Sequence, residues 1–220
     1  MPPITLWFLQ ASRSIRSAWL LEELGLEYTV KFSERVNQKA PPEFKAACGN
    51  PLGKFPVLQD GELTVYESGA INDYLCETYD KTGSLLPLPS SPARRTKVRQ
   101  WIHAAEATFA LHALSILYLR WNLPSSSPPS VLAAAEAGMA ANVQNDLSWL
   151  ETELSLSKGG FLCGEQLTSA DVMMLFSVEF IFERDLGVGE REWSGIRRWM
   201  ERCKGREAWR RAVEKTGYRL

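Results

Sequence analysis

Cysteine is scarce in this chain: four in 220 residues, at positions 48, 76, 163 and 203. No two form a C-x-x-C pair, so neither a dithiol redox centre nor a disulfide framework is expected. Histidine is scarcer still, with His103 and His112 alone and no cysteine at ligand spacing. No metal site is expected from such a set. Charge of one sign is not in excess either. The formal net charge is -1, which gives no reason to expect a nucleic-acid partner. The opening Met-Pro-Pro lacks the basic region and apolar run of a signal peptide, and no N-x-S/T sequon occurs. No stretch reads as apolar enough for a membrane span. Together these absences lead us to expect a cytoplasmic protein without a membrane partner.

What is present has the composition of an ordinary folded protein, long enough for one large domain or two small ones. Ile4 to Leu9 reads as a strand. Ile15, Ala18, Trp19, Leu21 and Leu24 then recur at helical spacing up to Gly25. Tyr28 to Phe32 is a second strand, so the first two strands are expected to be parallel. A short helix through Ala47 ends at Gly49-Asn50-Pro51. Phe55 to Gln59, Asp60-Gly61 and Glu62 to Val65 read as a hairpin, and Glu67 to Tyr79 as a helix. The order β-α-β-α-β-β-α predicts a mixed four-stranded sheet with helices on its faces. Residues 1–81 form this α/β domain. A linker follows at 82–92, with three prolines and four serines or glycines from Thr82 to Pro92. Residues 93–220 read as an all-helical domain. It contains long helices over Arg94–Arg120 and Ser130–Ser157, and a capping box at Thr168 and Asp171. Two further helices, Glu192–Lys204 and Arg206–Lys215, end it. From Arg191 to Leu220 there are ten Arg or Lys against four Glu. That is either the solvated face of helices or a field that steers acidic small molecules.

Three clusters could carry chemistry. Ser12-Arg13-Ser14-Ile15-Arg16 lies between a strand end and a helix start, where open sheets bind ligands and a helix offers unpaired amides. A hydroxyl there could stabilise a bound thiolate, or simply cap the helix. By position Ser14 is the better cap, which leaves Ser12 free to face a ligand. Lys54-Phe55-Pro56-Val57 places a proline at a strand entry. A cis bond there would turn backbone groups toward an extended peptide. Glu67-Ser68 opens a helix with a carboxylate for an ammonium and a hydroxyl for a carboxylate, or with a cap.

Taken together these motifs resemble the glutathione transferases. The fungal and bacterial serine-type members share the first-helix pattern S-R-S-x-R…W-L-L-E-E-L-G, here Ser12–Arg16 and Trp19–Gly25. The pattern N-P-x-G-K-x-P-x-L appears as Asn50–Leu58, E-S-x-A-I as Glu67–Ile71, and L-T-x-A-D as Leu167–Asp171. The resemblance spans nearly the whole chain. It implies a thioredoxin-like first domain with cis Pro56, and glutathione as co-substrate. The backbone of Phe55 would pair with the cysteinyl part. Glu67 and Ser68 would hold the γ-glutamyl end, and Lys54 or Lys39 the glycyl carboxylate. A first-strand tyrosine is replaced by Trp7 and Phe8, so the catalytic hydroxyl falls to Ser12, four before Arg16, or to Ser14. The resemblance further implies a homodimer and a small hydrophobic electrophile. That electrophile would rest on side chains of the first long helix, for which Trp101, Phe109, Leu117 and Tyr118 are candidates. Thiol activation for attack on an electrophilic carbon is the expected chemistry. A glutathione-dependent peroxidase or reductase, and a non-catalytic binding or regulatory protein, are the alternatives.

Overall fold

The computed structural model describes residues 3–220; Met1 and Pro2, on which the reading of the N-terminus rests, lie outside the described residues. In chain order the elements are β1 (Ile4–Leu9), α1 (Ser14–Glu23), β2 (Tyr28–Ser33), α2 (Pro42–Ala47), β3 (Val57–Asp60), β4 (Leu63–Tyr66) and α3 (Ser68–Tyr79). Helices α4 (Pro92–Ala104), α5 (Leu111–Asn122), α6 (Pro129–Leu156), α7 (Ser169–Glu183), α8 (Ser194–Lys204) and α9 (Glu207–Thr216) follow. A π-helical segment, Ala105–Ala110, joins α4 to α5. The chain divides into two compact units. One comprises the residues up to Arg95 together with Cys203–Leu220, the other Thr96–Arg202.

The first unit is a four-stranded sheet in the order β2-β1-β3-β4, flanked by helices. Strand β1 runs parallel to β2, with Ile4 opposite Tyr28 and Leu9 opposite Ser33. It runs antiparallel to β3, and β3 antiparallel to β4. This is the thioredoxin-like mixed sheet expected. Leu6 and Phe8 on β1 are fully buried, as are Ile15, Ala18, Trp19 and Leu21 on α1. The two sets match the strand and helix periods of the sequence.

The punctuation of the sequence ran the helical region on to Leu220, but α9 packs against α1 in the first unit. Trp209 meets Trp19 edge-on at 5.1 Å. Arg206 grips Glu23 with two hydrogen bonds of 2.6 and 2.7 Å. Arg211 reaches Glu22 at 2.9 Å, and Arg219 reaches Glu34 at 2.7 Å. Arg206, Arg211, Lys215 and Arg219 of the basic segment are thus paired with carboxylates of their own chain, and that favours the structural reading of their charge.

The second unit is helical. Nearly every residue of α7 is buried, and its capping box forms, with the Thr168 amide donating to Asp171 Oδ2 at 2.9 Å. The first long helix departs from expectation. A π turn shifts the hydrogen-bond register by one residue, and Ser177 Oγ on α7 donates to the Ala105 carbonyl there at 2.7 Å. The sequence analysis also missed that the continuous helix Pro92–Asn122 is long and apolar enough to cross a membrane. Its apolar residues are spread around the helix between polar ones, so no uninterrupted run reveals them. In the fold, Val98, Trp101, Ile102, Phe109, Ala113 and Ile116 are buried, and α5 packs on α6.

Candidate active site

The sheet register gathers the sequence motifs at one end of the first unit. Trp7 lies opposite Val57, and Val57 opposite Tyr66. The chain therefore leaves β1 after Leu9, enters β3 through Phe55-Pro56, and leaves β4 into Glu67-Ser68, all at the same end of the sheet. Three segments far apart in sequence come together because β1 and β4 both run toward the end at which β3 starts.

The β1–α1 loop carries the two serines. Ser12 Oγ donates to the Leu9 carbonyl at 2.6 Å, lies 2.8 Å from Ser14 Oγ, and accepts the Ser14 amide at 3.2 Å. Ser14 Oγ accepts the Leu9 amide at 3.4 Å. The capping roles expected of the two are thus exchanged. Ser14 is already the first residue of α1, behind Arg13 at the cap position, and Ser12 takes an amide of the first turn. Ser14 is completely inaccessible, whereas Ser12 is 7% exposed. The ten-residue helix α1 begins immediately beside them, and its unpaired amides and partial positive charge favour an anion.

The loop before β3 is braced by Asn50. Its side chain donates to the Lys54 carbonyl at 3.0 Å and accepts the Leu52 amide at 2.9 Å. Gly53 has φ +56, and a Cβ there would stand 2.8 Å from the Cβ of Lys45. The conformation favours glycine, and the close approach of Lys45 calls for it. The Phe55-Pro56 bond is cis. Phe55 is half-buried, its ring stacked on Phe44 at 4.8 Å, so its side chain is engaged while its backbone borders the loop. Lys54 and Lys39 are both exposed.

At the start of α3, Glu67 is exposed and holds φ +74 with ψ 117. A non-glycine residue in that region is strained, and such strain concentrates at binding sites. Ser68 is buried. Its Oγ accepts a hydrogen bond from Arg16 Nη1 at 3.0 Å, and Arg16 is itself only 1% exposed. The sequence analysis used Arg16 only as the mark four residues after Ser12 and missed this contact. The available signal was the helical spacing that puts Arg16 among Ile15 and Trp19 on the buried side of α1.

The electrophile candidates separate. Trp101 and Phe109 are fully buried, and Trp101 stacks on Trp149 at 4.2 Å. They are core side chains of the second unit, where aromatic stacking won over exposure to a ligand. Leu117 is turned inward. Tyr118 is exposed and tilted against Trp121 at 5.8 Å. Among the described residues, no group of His, Cys, Asp or Glu side chains could hold a metal ion.

Comparison with known proteins agrees with this geometry. Residues 2–77 match the glutathione S-transferase N-terminal domain, and residues 126–207 the glutathione S-transferase C-terminal domain. The chain is 31% identical to glutathione S-transferase 3 of Schizosaccharomyces pombe over 97% of its own length and 88% of that protein. A solved glutathione S-transferase from Actinobacillus pleuropneumoniae superposes with a TM-score of 0.78 at 29% identity, covering 98% of this chain and 93% of that one. A Phanerochaete chrysosporium glutathione transferase in complex with oxidized glutathione gives 0.76 at 25% identity, covering 96% and 95%. A thioredoxin-like sheet, three motif-bearing segments converging at one of its ends and whole-length similarity lead to one conclusion: this chain belongs to the glutathione S-transferase family and is an enzyme that conjugates glutathione to electrophiles.

Proposed function

We propose that Ser12 is the hydroxyl that activates the glutathione thiol. The observation that carries this is its position. Ser12, at the N-terminus of α1, keeps 7% of its surface accessible, while Ser14 has none. In the free protein the Ser12 proton is directed to the Leu9 carbonyl. Glutathione binding turns that proton to the sulfur, and the Ser12 hydroxyl gives up its bond to the Leu9 carbonyl in exchange for a charge-assisted one. The donor and the helix field favour the thiolate and lower the thiol pKa. The thiolate then forms a C–S bond to the electrophilic carbon. The displaced pair leaves with the leaving group, or takes up a proton where the acceptor is a conjugated double bond. The Phe55 backbone pairs with the cysteinyl part, Glu67 receives the α-ammonium, and Ser68 donates to the α-carboxylate. Lys54 or Lys39 meets the glycyl carboxylate. The small hydrophobic electrophile rests near Tyr118, the one exposed member of the expected set. The active form is a homodimer in the cytoplasm.

Ultraviolet thiolate absorbance of bound glutathione, followed against pH, tests the assignment. Ser12→Ala raises the apparent thiol pKa and cuts turnover by about 10- to 1,000-fold. Ser14→Ala chiefly lowers stability. A titration moved by Ser14→Ala and untouched by Ser12→Ala reverses the assignment. An unmoved titration in both assigns activation to backbone amides and the helix field. Turnover of an aryl halide, an isothiocyanate and a hydroperoxide separates conjugation from peroxidase chemistry. Light scattering at micromolar protein tests the dimer, and a monomer there refutes it.

A further inference from the structure

The loop that delivers Ser12 does not hold its own shape. Ala11 has φ +51, a left-handed conformation that strains a non-glycine residue and persists only where the surroundings enforce it. Two segments distant in sequence do the enforcing. The first follows α9. Gln10 Nε2 donates to the Gly217 carbonyl at 2.7 Å, across 207 positions of sequence. Gln10 Oε1 accepts the amide of Ala11 at 2.9 Å and that of Arg219 at 3.2 Å. The second follows β2. Arg35 Nε donates to the Gln10 carbonyl at 2.8 Å, and Nη2 to the Ala11 carbonyl at 3.2 Å.

The Gly217–Arg219 segment is itself fixed. Tyr218 is buried and meets Phe8 edge-on at 6.5 Å and Trp209 at 5.9 Å. Arg219 pairs with Glu34. Gln10 is 4% exposed, so its amide has no water to fall back on, and each of its bonds is difficult to replace. The Ala11 amide and the carbonyls of Gln10 and Ala11 are thereby all bound. The peptide planes between Leu9 and Ser12 have little freedom left. None of these groups is among those assigned above to hold glutathione.

We propose that Gln10 is a positioning residue for thiol activation: tied to Gly217–Arg219, it holds the loop so that the Ser12 hydroxyl meets the glutathione sulfur. The proposal rests on the reading of Ser12 as the thiolate donor. Its physical basis is that a donor displaced by about 1 Å can cost on the order of 100-fold in rate, while groups that bind the two ends of the tripeptide are unaffected. Gln10 thus acts on the reacting sulfur and not on the affinity of the whole ligand.

The test is a double-mutant cycle on the full chain with glutathione itself as the probe. It reads thiolate absorbance against pH, kcat, and glutathione Kd by calorimetry. Gln10→Leu is expected to raise the apparent pKa of the bound thiol and lower kcat by about 10- to 100-fold, with Kd close to that of the wild type. Gln10→Glu keeps the acceptor for the Ala11 and Arg219 amides but loses the donor to Gly217, and falls between Gln10→Leu and the wild type. It carries the comparison if Gln10→Leu does not fold. On the Ser12→Ala background either Gln10 substitution adds nothing to the shift, because the group it positions is gone. If Ser12→Ala moves the titration and the Gln10 variants leave it in place, or if the two shifts add, the positioning role is overturned. If Ser12→Ala itself leaves the titration in place, the reading of Ser12 fails, and the proposal with it.

Discussion

Arg16 Nη1 donates to Ser68 Oγ at 3.0 Å, joining the first turn of α1 to the first residue of α3 beneath the surface. The direction of this bond matters. With its oxygen occupied as an acceptor, the Ser68 hydroxyl has its proton left to give, and the guanidinium polarises it further. A carboxylate arriving at the N-terminus of α3 would therefore find a donor already oriented. Ser68→Ala is expected to weaken glutathione binding about 10- to 150-fold, the equivalent of one lost charge-assisted bond. Arg16→Gln should weaken it too. Combined with Ser68→Ala it should add little, because both act on one hydroxyl. Calorimetric Kd values that multiply across the two mutations would show that Arg16 acts elsewhere.

That contact marks a limit of what the sequence discloses. The strand and helix periods located β1, α1, β2 and α3 to within a residue or two, because each buries one face and the apolar pattern records it. The motifs around Asn50, Pro56 and Glu67 were legible because glycine, proline and a helix start leave local marks. Contacts between Arg16 and Ser68, or Gln10 and Gly217, leave none. They join residues whose proximity comes from the sheet register and the docking of α9. The capping roles of Ser12 and Ser14 were exchanged for a similar reason: a one-residue change in where α1 starts decides which hydroxyl takes the amide. Trp101 and Phe109 could not be divided from Tyr118 by periodicity, since the π segment between Ala105 and Ala110 resets the helical phase.

Asp171 is a structural carboxylate. It is fully buried and accepts the Leu162 amide, the Thr168 amide and Trp199 Nε1, each at 2.9 Å. Burial raises its pKa, against the pull of those same donors. Asp171→Ala strands these donors and the Thr168 hydroxyl, 3.1 Å from Oδ2, and is expected to lower stability by about 3 to 5 kcal/mol. Urea unfolding measures this. The glutathione Kd of the protein that remains folded should stay unchanged, and a large change there would tie Asp171 to the site.

Glu23 depends on Arg206. The Glu23 side chain is 6% exposed and accepts two bonds from the guanidinium and one, at 2.8 Å, from Trp19 Nε1. Arg206→Met leaves a buried carboxylate without its cation. The Arg206 side chain is 38% exposed, so solvent softens the loss to about 1 to 3 kcal/mol. Because α9 is the element released, local opening should appear first in amide exchange of α9 and of Gly217–Arg219. Uniform protection in those segments, with a drop elsewhere, would contradict the assignment.

Asp80 supplies the dependence on pH. It closes α3 and organises the segment after it, accepting the amides of Ser84 at 3.1 Å, Leu85 at 2.7 Å and Leu86 at 3.1 Å. Thr82 Oγ1 and Ser84 Oγ add bonds of 3.1 Å each. Burial pushes its pKa up, but the Leu86, Leu85 and Ser84 amides and the Thr82 hydroxyl together outweigh burial and leave the carboxyl below its ordinary value. The folded chain thus favours the ionised form more than the unfolded chain does. Its contribution is complete above the unfolded pKa, near pH 4, and is lost as pH falls through the lower native value. Asp80→Asn should reduce stability by about 2 to 4 kcal/mol at neutral pH. It should also flatten the fall of stability below about pH 4. The urea midpoint of both proteins, followed from neutral pH into that acid range, measures the difference. The two curves should converge as the wild-type carboxylate takes up its proton. A constant separation down to the most acidic point would mean that Asp80 binds its proton equally in both states and stabilises the fold by its shape alone.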